Sequence, residues 1–182
     1  MWLRNIADDY HHDMLLREDC LKAAIYHHLR RALSTRFLVD ENVRVLTEYA
    51  LSNNQRADIA VVQLKPSRSS AASYDLGSRT KSVLAIIECK YKSSSANLRP
   101  FKEDAEKVRD LSYLTDYPKT QFYLASIWEA PVESEHRLSV LSKKQQESWG
   151  RRAAELVGYR LSEDDPMRFT VLSHNRMNRD LG

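Results

Sequence analysis

The chain has four glycines and two cysteines in 182 residues, and both scarcities exclude chemistry. So few glycines leave no Walker-type phosphate loop, no dinucleotide fingerprint and no nucleophile elbow, because each needs glycine at fixed offsets. Cys20 and Cys89 fall outside any CxxC or Cys/His spacing, so nothing points to zinc or thioredoxin-like chemistry, and two reduced core thiols are expected. No apolar run reaches the length of a membrane span, and "MWLRNIADDYHHDM" has neither the basic start nor the apolar stretch of a signal peptide. The expected setting is cytoplasmic, with no membrane partner. A dominant charge of one sign is also missing: 28 basic residues oppose 25 acidic ones, and a net charge of +3 permits a nucleic-acid partner without demanding one.

What the chain does have is apolar periodicity. With 42% hydrophobic residues it can bury one core, and its length suits a single domain spanning 1–182 rather than two. From Asp13 to about Leu33 the spacing is helical, with Met14, Leu21, Ile25, Leu29 and Ala32 on one arc. Glu18 lies on that same arc. An acid there sits at the rim of the core, where Lys22 one turn on can pair with it, or is aimed at something that compensates its charge. "VRVLTEYALS" (43–52) and "RADIAVVQL" (56–64) read as a β-hairpin, with Leu46 and Glu48 on one face of the first strand and Asp58, Ala60 and Val62 on one face of the second. Residues 65–81 form a serine-rich connection whose bases, Lys65, Arg68, Arg79 and Lys81, serve solubility or touch phosphate.

"SVLAIIECKYK" (82–92) is a strand in which Leu84 and Ile86 are expected in the core, and Glu88 and Lys90 follow on the same face about 7 Å apart. A helix is expected from near Pro100, with Phe101, Ala105, Val108 and Ser112 on one side. "TQFYLASIWEA" (120–130) is β-rich. Residues 133–161 read as a helix with Leu138, Leu141, Trp149 and Leu156 on one stripe, and "MRFTVLSHNRM" reads as a last strand. The expected class is α/β: a mixed central sheet flanked by helices, with a parallel strand, helix, strand crossover.

The pairs His11–His12 and His27–His28 point about 100° apart on a helix and cannot chelate together, so they are expected to be structural. His174 near the chain end has arginines around it and either contacts phosphate or belongs to a frayed basic terminus. Trp128 and Trp149 lie on apolar runs and are expected to pack. The strand acids Glu48, Asp58 and Glu88 are harder to account for, since each interrupts an apolar β run and only Glu88 has a base two residues on. Two carboxylates with waters make a hard oxygen site suited to Mg²⁺, while a nearby lysine can hold water or stabilise phosphoryl oxygens.

"RADIAVV" followed by "AIIECKY" resembles the PD-(D/E)XK nuclease superfamily, with Asp58 as the isolated acid and Glu88-Cys89-Lys90 as the E-x-K. The resemblance covers roughly residues 13–130 and implies an αβββαβ core, with a C-terminal helix and strand at about 131–182 as an elaboration. It departs from the common pattern in having no proline before Asp58 and a long gap from Asp58 to Glu88. It implies a metal-dependent endonuclease acting on phosphodiester bonds, with Mg²⁺ or Mn²⁺ held by Asp58 and Glu88 and helped by Glu18 and Glu48. Lys90 would act on the water. Arg56, Lys92 and Arg99 would anchor the DNA backbone, and Asp104 and Lys107 would face the site or the DNA. Related nucleases pair to cut both strands, so a homodimer is compatible with it. The alternative is a nuclease-like fold without activity that binds nucleic acid or protein.

Overall fold

In the computed structural model, the residues described are 2–51, 55–66, 76–93, 103, 106–107, 117, 119–135, 138–143, 146 and 152–173. Three helices open the chain: α1 (Trp2–His11), α2 (Glu18–Leu33) and α3 (Thr35–Asp40). α2 carries Glu18 and Asp19 in its first turn and Arg30 and Arg31 in its last, which complements the helix dipole at both ends. The helix expected from Asp13 begins at Glu18 instead, because Asp13 takes a left-handed backbone (φ 58°) that ends the preceding turn. Met14 is consequently 57% exposed, and Leu15 is the residue that enters the core. Ser34, at φ 59°, closes α2 and caps α3 by accepting a hydrogen bond from the Phe37 N–H.

The hairpin forms as expected from β1 (Val43–Ala50) and β2 (Arg56–Leu64), paired antiparallel. After a short α4 (Leu76–Arg79) come β3 (Thr80–Lys92), β4 (Gln121–Trp128), β5 (Ala153–Tyr159) and β6 (Arg168–Ser173). All six strands form one mixed sheet in chain order. β3 pairs parallel with β4, as the crossover reading requires, and β4 pairs parallel with β5, while β6 returns antiparallel. The flanking helices and mixed sheet make the class α/β. Of the helix expected near Pro100, residues 103, 106 and 107 are helical; Pro100, Phe101, Asp104, Ala105, Val108 and Ser112 lie outside the described residues, as do Arg68, Arg99, Trp149 and His174.

One expectation is overturned at the C-terminal end. Residues 143 and 146 are helical, but the helix read through to residue 161 gives way to strand β5, so Leu156 belongs to the sheet. Its burial is nearly continuous, as for a central strand covered on both faces, and that pattern imitates a buried helix. Gly158 is needed here: a Cβ would stand 2.7 Å from Cε1 of Phe169 on β6.

The sheet separates two apolar cores. One, including Ile6, Leu21, Ile25, Ile59, Ile87 and Cys89, lies under α1 to α3. The other gathers Tyr49, Ala60, Val62, Val83, Ile86, Phe122 and Leu141 on the opposite face. Leu84 does not join either, being 38% exposed. Val61 pairs with Ala85 and Val62 with Val83, so Leu84 is an extra residue opposite none of β2. This bulge moves the inward positions by one, and Val83 and Ile86, three apart, reach the same core.

Two polar clusters fasten the layers. Tyr10 and Tyr91 both donate to Glu129 Oε1, at 3.1 and 2.5 Å, tying α1 to the sheet. Burial first and the Glu129 charge second push the Tyr10 phenol up to about 12. On β5, Glu155 is 1% exposed and accepts hydrogen bonds from the Val140 N–H (2.8 Å) and Ser139 Oγ (2.5 Å). Removing this carboxylate leaves the Val140 N–H without its acceptor, while Ser139 Oγ keeps the Leu141 carbonyl, so Glu155→Ala is expected to destabilise the fold by about 2 kcal/mol in urea unfolding. A loss no larger than that of an exposed surface substitution would contradict the clamp.

Candidate active site

The site begins where two strands part. The β2–β3 ladder ends at the pair Ile59 and Ile87. The next inward amide of β3, the Cys89 N–H, donates to Asp58 Oδ2 at 2.7 Å. A side-chain carboxylate thus takes the place of a backbone carbonyl, and the strands open into a mouth beyond it. Asp58 is fixed by the hydrogen bond that satisfies the opened strand.

Side-chain alternation breaks at this point on both hairpin strands. Ala57 and Ala60 pack into the same core although three apart, as do Leu46 and Tyr49. Between the second pair lies Glu48, at φ 50° inside a β-strand. A non-glycine residue there costs on the order of 1 kcal/mol, a strain that clusters at functional positions. Asp58 therefore does not share the face of Ala60 and Val62, as simple alternation had it. It turns toward α2.

Glu88 and Lys90 keep the common face expected of them, since Ile87, Cys89 and Tyr91 between and beyond them all pack in the core under the helices. Glu88 is 3% exposed, and its Oε2 lies 2.7 Å from Lys107 Nζ, which also donates to the Arg56 carbonyl. Lys90 Nζ lies 3.4 Å from Glu18 Oε2. Lys22 Nζ joins Glu48 Oε1 (2.7 Å) to Asp58 Oδ1 (2.9 Å). The rim pair between Glu18 and Lys22 is thus replaced by one that sends Glu18 to Lys90 and Lys22 to the hairpin.

The acids singled out in the sequence fall into three ion-paired groups around the Asp58–Cys89 bond: Glu48 and Asp58 share Lys22, Glu18 stands against Lys90, and Glu88 stands against Lys107. Among the described residues, three lysines thus stand against these four carboxylates. Burial draws the Lys22 ammonium down, but its hydrogen bonds to Glu48 and Asp58 outweigh that and hold its pKa above the usual lysine value. Cys89, between Glu88 and Lys90, is driven well up by burial and then by the charges of Asp58 and Glu88, which makes it an inert thiol.

No protein family, characterised protein or solved structure matches this chain. The site has to be read from its own geometry.

Sequence reasoning missed Lys22 as a bridge and Ser126 altogether. Ser126 is buried on β4 in register with Lys90, and its alternation with Ala125 and Ile127 puts it on Lys90's face. A buried serine inside "FYLASIW" was the available signal. Lys107, expected to face the site or to anchor DNA, is drawn onto Glu88, while Arg56 is exposed at the start of β2 and Lys92 stands partly exposed at the end of β3.

As donors, Asp58 and Glu88 from adjoining strands fit a hard divalent ion that takes one or two carboxylates and completes its shell with water or phosphate. Among the described residues no group of three or more His, Cys, Asp and Glu side chains converges as a ready cage. Lysine ammonium groups stand against the acids instead.

The raised Lys22 pKa has a signed consequence. Its contribution to stability is complete below the unfolded lysine value of 10.5 and is lost as pH rises through the higher folded value. Lys22→Met should cost about 1 kcal/mol near neutrality, since Glu48 is half exposed and water screens that arm. In urea unfolding at stepped pH the gap between wild type and variant should close only above the ordinary lysine range. A gap independent of pH would contradict the bridge.

Proposed function

We propose that this protein is a divalent-metal-dependent nuclease that hydrolyses phosphodiester bonds, with DNA as its expected substrate. The observation that carries the reading is the Asp58 carboxylate bound to the Cys89 N–H. That bond holds the isolated acid beside the Glu88-Cys89-Lys90 strand, as the sequence resemblance requires. Asp58 and Glu88 are the proposed ligands of Mg²⁺ or Mn²⁺, with Glu18 and Glu48 at the edge of the same charge network. When bound, such an ion supplies a more acidic water and offsets negative charge on the phosphoryl oxygens.

The remaining work falls to this chain's own groups. Lys90 is held near Glu18 and is placed to orient the attacking water or stabilise charge on the phosphate. Asp58 and Glu88 would hold the ion, and Lys22 and Lys107, which stand against those same carboxylates, are the cations nearest to where a phosphate would sit. Glu88 is nearly enclosed, and the weak screening there strengthens every charge interaction made in it. Arg56 and Lys92 stand at the ends of strands that border the mouth, where contacts to backbone phosphate position a strand without reading its sequence.

A second reading has one observation in its favour. Each acid stands against a lysine, Glu48 and Asp58 sharing one, an arrangement that also suits a nuclease-like fold that binds nucleic acid without cutting it.

The test is cleavage of supercoiled plasmid, linear duplex, branched DNA and RNA with Mg²⁺, Mn²⁺ or EDTA. Cutting should need the metal. Asp58→Asn, Glu88→Gln and Lys90→Ala should each lower it by about 100-fold or more while the fold persists. Cutting untouched by EDTA and by Lys90→Ala would overturn the mechanism, and retarded DNA without any cutting would favour the second reading.

A further inference from the structure

Outside the site, the described surface has a basic hollow that the mechanism does not use. A cleft of about 390 Å³ lies at the C-terminal end of α2, lined by Tyr26, His27, Arg30, Arg31, Ser34 and Thr35. No carboxylate is among these residues. Arg30 is already organised: its guanidinium carbon lies 5.8 Å from the centre of the Tyr26 ring, and Nη1 donates to the Tyr26 hydroxyl at 3.3 Å. The negative end of the α2 dipole accounts for the presence of arginines there. Ser34 is there as the cap of α3 and Tyr26 packs against the core under the helices, but neither the dipole nor packing accounts for His27 lining the same hollow.

The position of the cleft gives it a partner. Glu18, Lys22, Tyr26 and Arg30 follow one another four residues apart along α2, a line that winds about a third of a turn around the helix. Its first two members belong to the candidate active site and its last two to the cleft. From Lys22, which holds Asp58, to Tyr26 and Arg30 is four to eight residues of helix, about 6–12 Å. At about 3.4 Å of rise per nucleotide of one strand, that distance corresponds to about two to four nucleotides.

We infer that the Tyr26–Arg30–Arg31 cleft is a phosphate-binding subsite that grips the backbone of the nucleic-acid strand about two to four nucleotides away from the phosphate held at Asp58 and Glu88. Two guanidinium groups match phosphate oxygens, the hydroxyls of Ser34 and Thr35 add donors, and the Tyr26 ring offers a face to a sugar or an unstacked base. This inference rests on the proposed nuclease reading for the distance to the scissile phosphate. The binding of phosphate at the cleft stands apart from catalysis.

The experiment measures binding of the full-length chain in EDTA to fluorescent DNA strands of about five and about twenty nucleotides, single and duplex, across a salt series. It compares wild type with Arg30→Ala/Arg31→Ala and with Arg168→Ala on β6 as a distant control. The double variant should bind the long strand roughly tenfold or more weakly and lower the salt slope by about 2, one for each lost phosphate contact. In EDTA the basic cleft is the phosphate site open to either strand, so the short strand should bind more weakly as well, while thermal unfolding and the Arg168→Ala control should stay as in wild type. An unchanged affinity and slope on the long strand would overturn the inference, as would a polyglutamate competitor that loses binding in the variant while DNA does not. Cleavage with Mg²⁺ separates the two claims: cutting by wild type and variant alike refutes the subsite alone. A lost salt slope with no cutting by any form supports the subsite and refutes the nuclease.

Discussion

The hydrogen bond from the Cys89 amide to Asp58 is the constraint around which this molecule is arranged. An antiparallel ladder cannot simply stop, because the next inward amide would be left without an acceptor. Here the acceptor is a carboxylate, and the bond holds an acid at the point where the strands separate. Glu48, with its left-handed backbone, stands opposite Asp58 in the ladder, between the pairs Thr47–Ile59 and Tyr49–Ala57.

Once Asp58 faces the helices, its charge must be answered there. Lys22 does so and brings Glu48 with it, while the E-x-K strand finds its own counter-charges in Lys107 and Glu18. These pairs link α2, the hairpin, β3 and the helical turn at 106–107 into one network, so the site is not attached to one element but closes the angle between several. The apolar residues supply its rigidity. Ile59, Ile87 and Cys89 pack under the helices directly beside the acids, and a carboxylate carried on such neighbours has little freedom to drift.

Much of this was legible in the sequence, and the reasons differ by element. The hairpin and the parallel β3–β4 pair were readable because alternation and a helical spacer are strong signals. The four acids were readable because each breaks an apolar pattern. Leu84 and Asp58 were assigned to the wrong side because the chain departs from strict alternation at both places, through a bulge in one case and a reversal at Glu48 in the other. A period-two reading cannot see an inserted residue. β5 carries a helix-like pattern because a strand buried on both faces loses its alternation, and Leu138, Leu141 and Leu156 fit a helical stripe. Lys22 escaped notice as a bridge because its partners come from a hairpin more than twenty residues away, and an i, i+4 acid on its own helix was the nearer explanation.

The account stands or falls on whether Asp58 and Glu88 give up their lysines to a shared divalent ion. Anomalous diffraction from crystals grown with Mn²⁺ measures this most directly. The predicted result is a manganese peak bound by both carboxylates, with the Lys22 ammonium moved off Asp58. Crystals in Mn²⁺ that show no peak there and keep both the Lys22–Asp58 and Lys107–Glu88 pairs would contradict it.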